Sequence, residues 1–387
     1  MKKLMKISTI ALFILFSISC EKIDVAAPDL PGNPGMNNHP NEAKYQNLIN
    51  KILETGVPGV SMTVITPDGD WSGTGGKADL KYNIDMSPFH ILRIGSFSKV
   101  FCAATILKLQ DDGKLNIDDK ANMYIPAEIA DKVPNGNLVT IKQLLNHTAG
   151  IPEHLDLNAY LDIMNLSVVK LSAEETLETI YRKKPDFAPG TDKYYSNSNY
   201  LMLALILKYV SGKDANDVVN GKLLQPLGLQ NIYMSSDFPA SLSRGYVDVH
   251  DDGKVIDRTE IDNNAVGGQD RLDGGVMANS YDLAVFLTSL LEGDILSAGS
   301  LSQMETFEDI TQDLGPDLSH LKQYGLGLMK LETDHGNAIG HYGSVHSFSS
   351  LAYYFPEQKV TVAIIRNGDS ARSKKFFESK ELFNYLF

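Results

Sequence analysis

The sequence predicts an α/β fold of the α+β type: one antiparallel sheet drawn from both ends of the chain and flanked by helices, with a mainly helical part inserted in the middle. Three observations predict it. β-rich runs bounded by turn residues lie near the start, at residues 60–65 and 70–76. Similar runs return near the end, at residues 337–342, 348–355 and 360–366. Between about residues 110 and 295 the apolar residues recur mainly at helical spacing. Two parts built this way leave a crevice between them, a common place for an active site.

The first segment carries an export pattern. Lys2, Lys3 and Lys6 precede the short apolar run at residues 10–16, which is too short to span a bilayer as a mature helix. The run ends at Ser17-Ile18-Ser19-Cys20, which resembles a relaxed bacterial lipoprotein box. Residues 1–19 are therefore expected to be a signal peptide and Cys20 the lipidated residue, which would anchor the protein to a membrane of the cell envelope. A plain secretory signal with an incidental cysteine is the alternative. Residues 20–41, rich in Pro, Gly and Asn, read as a flexible tether.

The folded domain is expected over residues 42–387. Asn41 is a candidate N-cap for a helix carrying Leu48, Ile49, Ile52 and Leu53, and Gly56 and Pro58 end it. Pro67-Asp68-Gly69 turns between the first two strands. Gly73-Thr74-Gly75-Gly76-Lys77 lacks the spacing of a phosphate loop and reads as a strand end. Helices are expected over residues 141–145, 173–181, 201–210 and 280–291, and a small hairpin over 245–249 and 254–256. The hairpin turn lacks the glutamate that a calcium loop needs, since Thr259 falls there. A last amphipathic helix is expected from about residue 370 to the end. The formal charge of −13 over 387 residues, with no basic stripe, argues against nucleic acid as a partner. Of the two cysteines, Cys102 lies inside an apolar helix and reads as a small core residue, so there is no disulfide framework.

The chemistry centres on Ser96 and Lys99. A helix beginning near Gly95 stacks the two side chains on one face. A serine hydroxyl is a poor nucleophile until a base takes its proton. Lysine serves as that base when burial disfavours its charged form, and the apolar run Val100, Phe101, Cys102, Ala103, Ala104 predicts such burial. The spacing alone is unspecific, because it recurs at Ser19/Lys22, Ser167/Lys170 and Ser319/Lys322. Tyr195-Ser196-Asn197 precedes a helix. A tyrosine hydroxyl near Lys99 relays protons, and an asparagine offers a donor and an acceptor to a substrate amide. The plainer alternative is that Tyr195 packs and Asn197 caps. His341-Tyr342-Gly343 lies on a strand, where glycine lets a backbone approach a ligand. A half-buried strand histidine is the plainer fate of His341.

Ser96-x-x-Lys99, Tyr195-x-Asn197 and His341-x-Gly343, in this order, resemble the three motifs of the serine β-lactamase and penicillin-binding family. They are most similar to class C β-lactamases and the related D-alanyl-D-alanine carboxypeptidases and esterases. Leu144 to Ile151, Pro226-Leu227-Gly228-Leu229, Gly274-Gly275-Val276 and Tyr324-Gly325-Leu326-Gly327 extend the likeness over roughly residues 42–370.

The resemblance implies a β-lactamase/transpeptidase-like fold and a role for each residue. Ser96 is the acylated nucleophile. Lys99 and Tyr195 share general acid–base duty, with the base unassigned. Asn197, His341, Gly343 and Ser344 bind substrate. The backbone N–H groups of Ser96 and Ser344 form the oxyanion hole. No metal or organic cofactor is implied. The expected substrate is a small molecule or peptide: a D-Ala-D-Ala-like peptidoglycan peptide, an ester or a β-lactam. Class C β-lactamases have lysine where this chain has His341, so the peptidase and esterase relatives are favoured. His346 and Ser347 replace the proline and glycine of many relatives, which bears on specificity. A non-catalytic peptidoglycan-binding protein is the distant alternative.

Overall fold

The computed structural model describes residues 26–30, 39–310 and 321–387. The export segment and Cys20 lie outside the described residues.

Helix α1 (Glu42–Leu53) turns a buried face of Tyr45, Leu48, Ile49 and Ile52 to the sheet. Asn41 is its N-cap by position, but its side chain makes no capping bond. Strands β1 (Gly59–Thr66), β2 (Gly69–Asp79) and β3 (Ile84–Asp85) follow. Strands β4 (Glu308–Asp309), β5 (Leu321–Tyr324), β6 (Met329–Thr333), β7 (Gly336–Val345), β8 (Phe348–Phe355) and β9 (Val360–Arg366) come from the C-terminal part. Together they form one nine-stranded sheet in the order β3-β2-β1-β9-β8-β7-β6-β5-β4. The two ends of the chain meet where β1 pairs antiparallel with β9, Met62 opposite Ile364. β5 and β6 extend the sheet beyond the strands expected from sequence, because their runs are short and interrupted by polar residues.

Alternation along β1 sends Val60, Met62 and Val64 to the α1 side, where they pack with Leu351, Tyr353 and Phe355 of β8. Ser61 and Thr63 face the other way and hydrogen-bond Ser280, 2.9 and 2.8 Å away. Ser280 begins a helix (Ser280–Leu291) that sequence placed in the inserted part. In the structure it packs on β1, β8 and β9, so the inserted part ends before it.

Helix α2 (Ser98–Asp111) runs through the centre of the second core, with every residue from Ser98 to Leu107 buried. Phe101 stacks on Phe286 with ring centroids 3.9 Å apart. Helix α3 (Asn197–Ser211) packs beside α2 and ends at Gly212, whose φ of +70° closes the helix in the left-handed region. Two small three-stranded sheets were not expected as such. One joins Leu92–Arg93, Met277–Ala278 and Ile232–Tyr233; the other joins Gly368–Asp369 to the hairpin strands Tyr246–Val247 and Ile256–Asp257.

Two further expectations need correction. The stretch read as a free tether is docked at residues 27 and 28. The Ala27 N–H donates to Asp79 Oδ2 (3.1 Å), and His90 Nε2 lies 2.9 Å from the Pro28 carbonyl. The final helix is also broken. It runs as α4 (Ala371–Phe377), after which the Ser379 side chain caps a 3₁₀ segment (Lys380–Tyr385).

Candidate active site

Ser96 sits in a single 3₁₀ turn (Gly95–Phe97) that leads into α2. The turn is tied down on both flanks. Ser98 Oγ donates to the Gly95 carbonyl (2.6 Å) and accepts the Val276 N–H (3.0 Å), while Ser350 Oγ donates to the Ile94 carbonyl (2.7 Å). Gly95 has φ +52°, and a Cβ there would lie 2.5 Å from the Ser344 nitrogen. A Cβ on Gly343 would lie 1.9 Å from the Ile94 carbonyl oxygen. Two glycines thus allow β7 to press directly against the Ser96 turn. β6 pairs with β7 only as far as Gly340, so the stretch from His341 onward has β8 as its one sheet neighbour. The Ser96 turn lies against that stretch.

Lys99 is wholly buried. Its Nζ lies 3.1 Å from Ser96 Oγ and 2.7 Å from Asn197 Oδ1, and it also contacts the Asp273 carbonyl. Two of these partners are carbonyl oxygens that can only accept. A neutral amine has two N–H groups for them and a lone pair left for the Ser96 hydroxyl. Burial pushes the Lys99 ammonium down to about 8, with Asp273 and Glu153 pulling the other way. The half-buried Tyr195 lies beside it, with its ring centroid 5.0 Å from Lys99 Nζ. Burial holds the Tyr195 phenol well above its ordinary value, although its hydrogen bond with Ser96 acts the other way. The pair therefore contains an easily deprotonated amine and a phenol that keeps its proton.

Sequence reasoning missed the groups that aim these residues. Asn197 is the first residue of α3, and Glu153 Oε2 accepts both its backbone N–H (2.6 Å) and its Nδ2 (3.1 Å). One carboxylate thus caps the helix and fixes the amide so that Oδ1 faces Lys99. Asp273, whose carbonyl meets Lys99, is held by Arg271 through two bonds of 2.9 Å. Burial raises the Asp273 carboxyl, but Arg271 and His154 outweigh it and hold it below the ordinary carboxylate range. His147 Nδ1 accepts the Ser196 N–H (3.2 Å), and its ring packs 4.3 Å from Tyr195. The only signal in the sequence was that Glu153 and Asp273 lie next to Leu144 to Ile151 and Gly274-Gly275-Val276.

The structure brings Ser96, Lys99, Tyr195, Asn197 and Ser344 together. It places His341 and Gly343 behind them. His341 is fully buried, with Nδ1 against the Tyr342 carbonyl and Nε2 3.2 Å from the Tyr324 hydroxyl. Burial, then the nearby Lys99, pushes it down to about 3, so it is neutral. The reason is strand alternation: Tyr342 and Ser344 face the opening, and His341 and Gly343 face away. Ser96 lies between two clefts and, with Ser344, lines both. The larger, about 710 Å³, includes Asn197, Asp273, Val345 and His346. The smaller, about 260 Å³, includes Tyr195 and Tyr342.

A half-buried serine paired with a buried lysine at the start of a central helix, beside an antiparallel sheet strand, defines the serine β-lactamase/transpeptidase fold class. A family model described as Beta-lactamase matches residues 45–378, and the chain belongs to that family. It is 25% identical over 306 residues to "Penicillin-binding protein 4*" of Bacillus subtilis, covering 76% of this chain and 64% of that protein. The chain spans less than two thirds of the length of the curated relatives it matches. Among solved structures, it is similar to the D-stereospecific amidohydrolase from Streptomyces sp., with 26% identity and a TM-score of 0.72 over 87% of this chain and 99% of that one. It also resembles the D-amino acid amidase from Ochrobactrum anthropi SV3, with 22% identity and a TM-score of 0.76 over 89% and 96%. At that identity the likeness shows the fold alone.

Proposed function

We propose that this chain is a serine hydrolase that opens amide or ester bonds through an acyl-enzyme on Ser96. The observation that carries the proposal is the Lys99 amine, buried, 3.1 Å from Ser96 Oγ and bound to two carbonyl oxygens. Lys99 Nζ takes the Ser96 proton as Oγ bonds to the substrate carbonyl carbon. The N–H groups of Ser96 and Ser344 receive the oxyanion. Tyr195 passes a proton to the departing nitrogen or oxygen as the old bond breaks. Water then attacks the acyl-enzyme, and the serine recovers its proton.

In its narrower form the substrate is a D-alanyl-D-alanine-like peptide of the cell wall. The names of the penicillin-binding and D-stereospecific relatives support this. A second reading, an esterase or amidase, is favoured by the apolar walls beside Tyr195. A weak β-lactamase on the same machinery is less supported, given the neutral His341. The basic and apolar start of the chain and Cys20 support a lipid-anchored place in the bacterial envelope.

The test is intact mass over time with a fluorophosphonate and with a penicillin, with Ser96→Ala as control. One adduct on the wild type and none on Ser96→Ala is expected with the fluorophosphonate. An unlabelled Ser96 would return the chain to a binding-only role. With penicillin, a lasting adduct favours the peptidase form, and rapid drug loss a β-lactamase.

A further inference from the structure

The smaller cleft has a character of its own. Its walls are Met329, Leu331, Leu351, Tyr353, Phe377 and Phe383, the edge of the core between the sheet and the C-terminal helices. It is continuous with the site, since Ser96, Ser344 and Tyr195 form its inner end. Among the described residues, no lysine or arginine lines it, and its one charged lining residue is Glu378, which accepts the Tyr342 hydroxyl (2.6 Å). Burial raises the Glu378 carboxyl, so this is a place where negative charge is already disfavoured.

The two clefts also divide the site chemically. Asn197 lines only the larger one, and Tyr195 only the smaller one. A group that gives a proton to the leaving atom must touch the leaving group. The leaving group therefore lies on the Tyr195 side and the acyl group on the Asn197 side.

We infer that the 260 Å³ pocket is the leaving-group subsite and that it takes an uncharged alkyl or aryl amine or alcohol while rejecting a leaving group with a free carboxylate. This rests on the acyl-enzyme reading above and, within it, favours the esterase or amidase form over the D-alanyl-D-alanine form. Apolar walls reward a ring or short chain. A carboxylate there would lose its water, gain no cation and face Glu378. The substrates so selected are esters and amides whose leaving part is neutral, including peptides with a blocked C-terminus. A free terminal D-alanine is disfavoured.

The experiment compares two methylphosphonate diesters, one with phenoxide and one with 4-carboxyphenoxide leaving groups. In each, Ser96 Oγ bonds to phosphorus, one P–O(aryl) bond breaks, and the serine proton leaves with the aryloxide through Lys99 and Tyr195. The second-order rate of Ser96 phosphonylation is read by intact mass. The phenyl ester is expected to react at least about tenfold faster, a difference of ~1.4 kcal/mol. Glu378→Gln shrinks that ratio by admitting the carboxylate, and Leu331→Trp shrinks it by filling the pocket. Equal rates in the wild type, or a ratio that neither variant moves, overturn the inference and leave the serine hydrolase reading intact. No phosphonylation of Ser96 by either ester overturns both.

Discussion

A side chain on Gly95 would begin 2.5 Å from the backbone nitrogen of Ser344. The Ser96 turn and the strand beside it thus meet with no atom to spare at Ser344. Gly95→Ala is expected to fail twice, by contact and by its φ of +52°. It should cost more than about 1 kcal/mol of stability and slow labelling of Ser96 by a fluorophosphonate. Thermal melting and labelling kinetics on the same sample check both.

The pH profile should report Lys99. On the proposed reading its neutral form is the base, so the labelling rate should rise with pH through an apparent value of about 8. Lys99→Met should abolish the rise and the labelling together. Stability has its own sign. The folded Lys99 sits at about 8 and the free lysine at 10.5, so between them the unfolded chain binds more protons and stability rises with pH. At ~1.4 kcal/mol per pH unit, that gain is about 3 kcal/mol. Urea unfolding at pH 8 and pH 10 should show wild type gaining relative to Lys99→Met; a constant difference would refute it.

Glu153 should act through Asn197. Glu153→Gln keeps the size but loses the charge that caps α3 and holds the Asn197 amide. Loss of a charge-assisted bond costs about 1.5 kcal/mol or more. The fluorophosphonate labelling rate should fall roughly tenfold. The rise with pH should also move to lower pH, because Glu153 favours the charged Lys99.

Arg271→Met should leave the buried Asp273 with only His154 beside it. Breaking a buried pair on one side costs about 3–5 kcal/mol, measured by chemical unfolding at pH 7. In the wild type the depressed Asp273 carboxyl adds stability that is present above its unfolded value of 3.8 and lost as pH falls below it. The variant should have a smaller acid-side loss, which acid titration of the folded signal would show.

Much of the architecture was legible because period and punctuation carry it. β1, β8 and β9 are dense β-branched or aromatic runs between turns, and α2 is an unbroken apolar helix. Strands β5 and β6, the broken C-terminal helix and the docked Ala27 were not legible. Each depends on a neighbour distant in sequence or on a cap such as Ser379 rather than on its own pattern.

By itself the sequence determined the antiparallel sheet drawn from both ends, the helical stretch between them, and the residues at the site: Ser96, Lys99, Tyr195, Asn197 and Ser344. The sheet follows from local pattern, and the site residues follow from the resemblance that their motifs carry. Only the tertiary structure decided which face of β7 meets the opening. It turned Tyr342 and Ser344 toward Ser96 and sent His341 into the core, because alternate strand residues point opposite ways and a close approach at Gly343 fixes the register. It also supplied Glu153 and Asp273, whose roles come from carboxylate and carbonyl oxygens brought from distant loops to one buried amine. Depressing that amine takes burial on all sides, and burial on all sides is a property of the packed molecule.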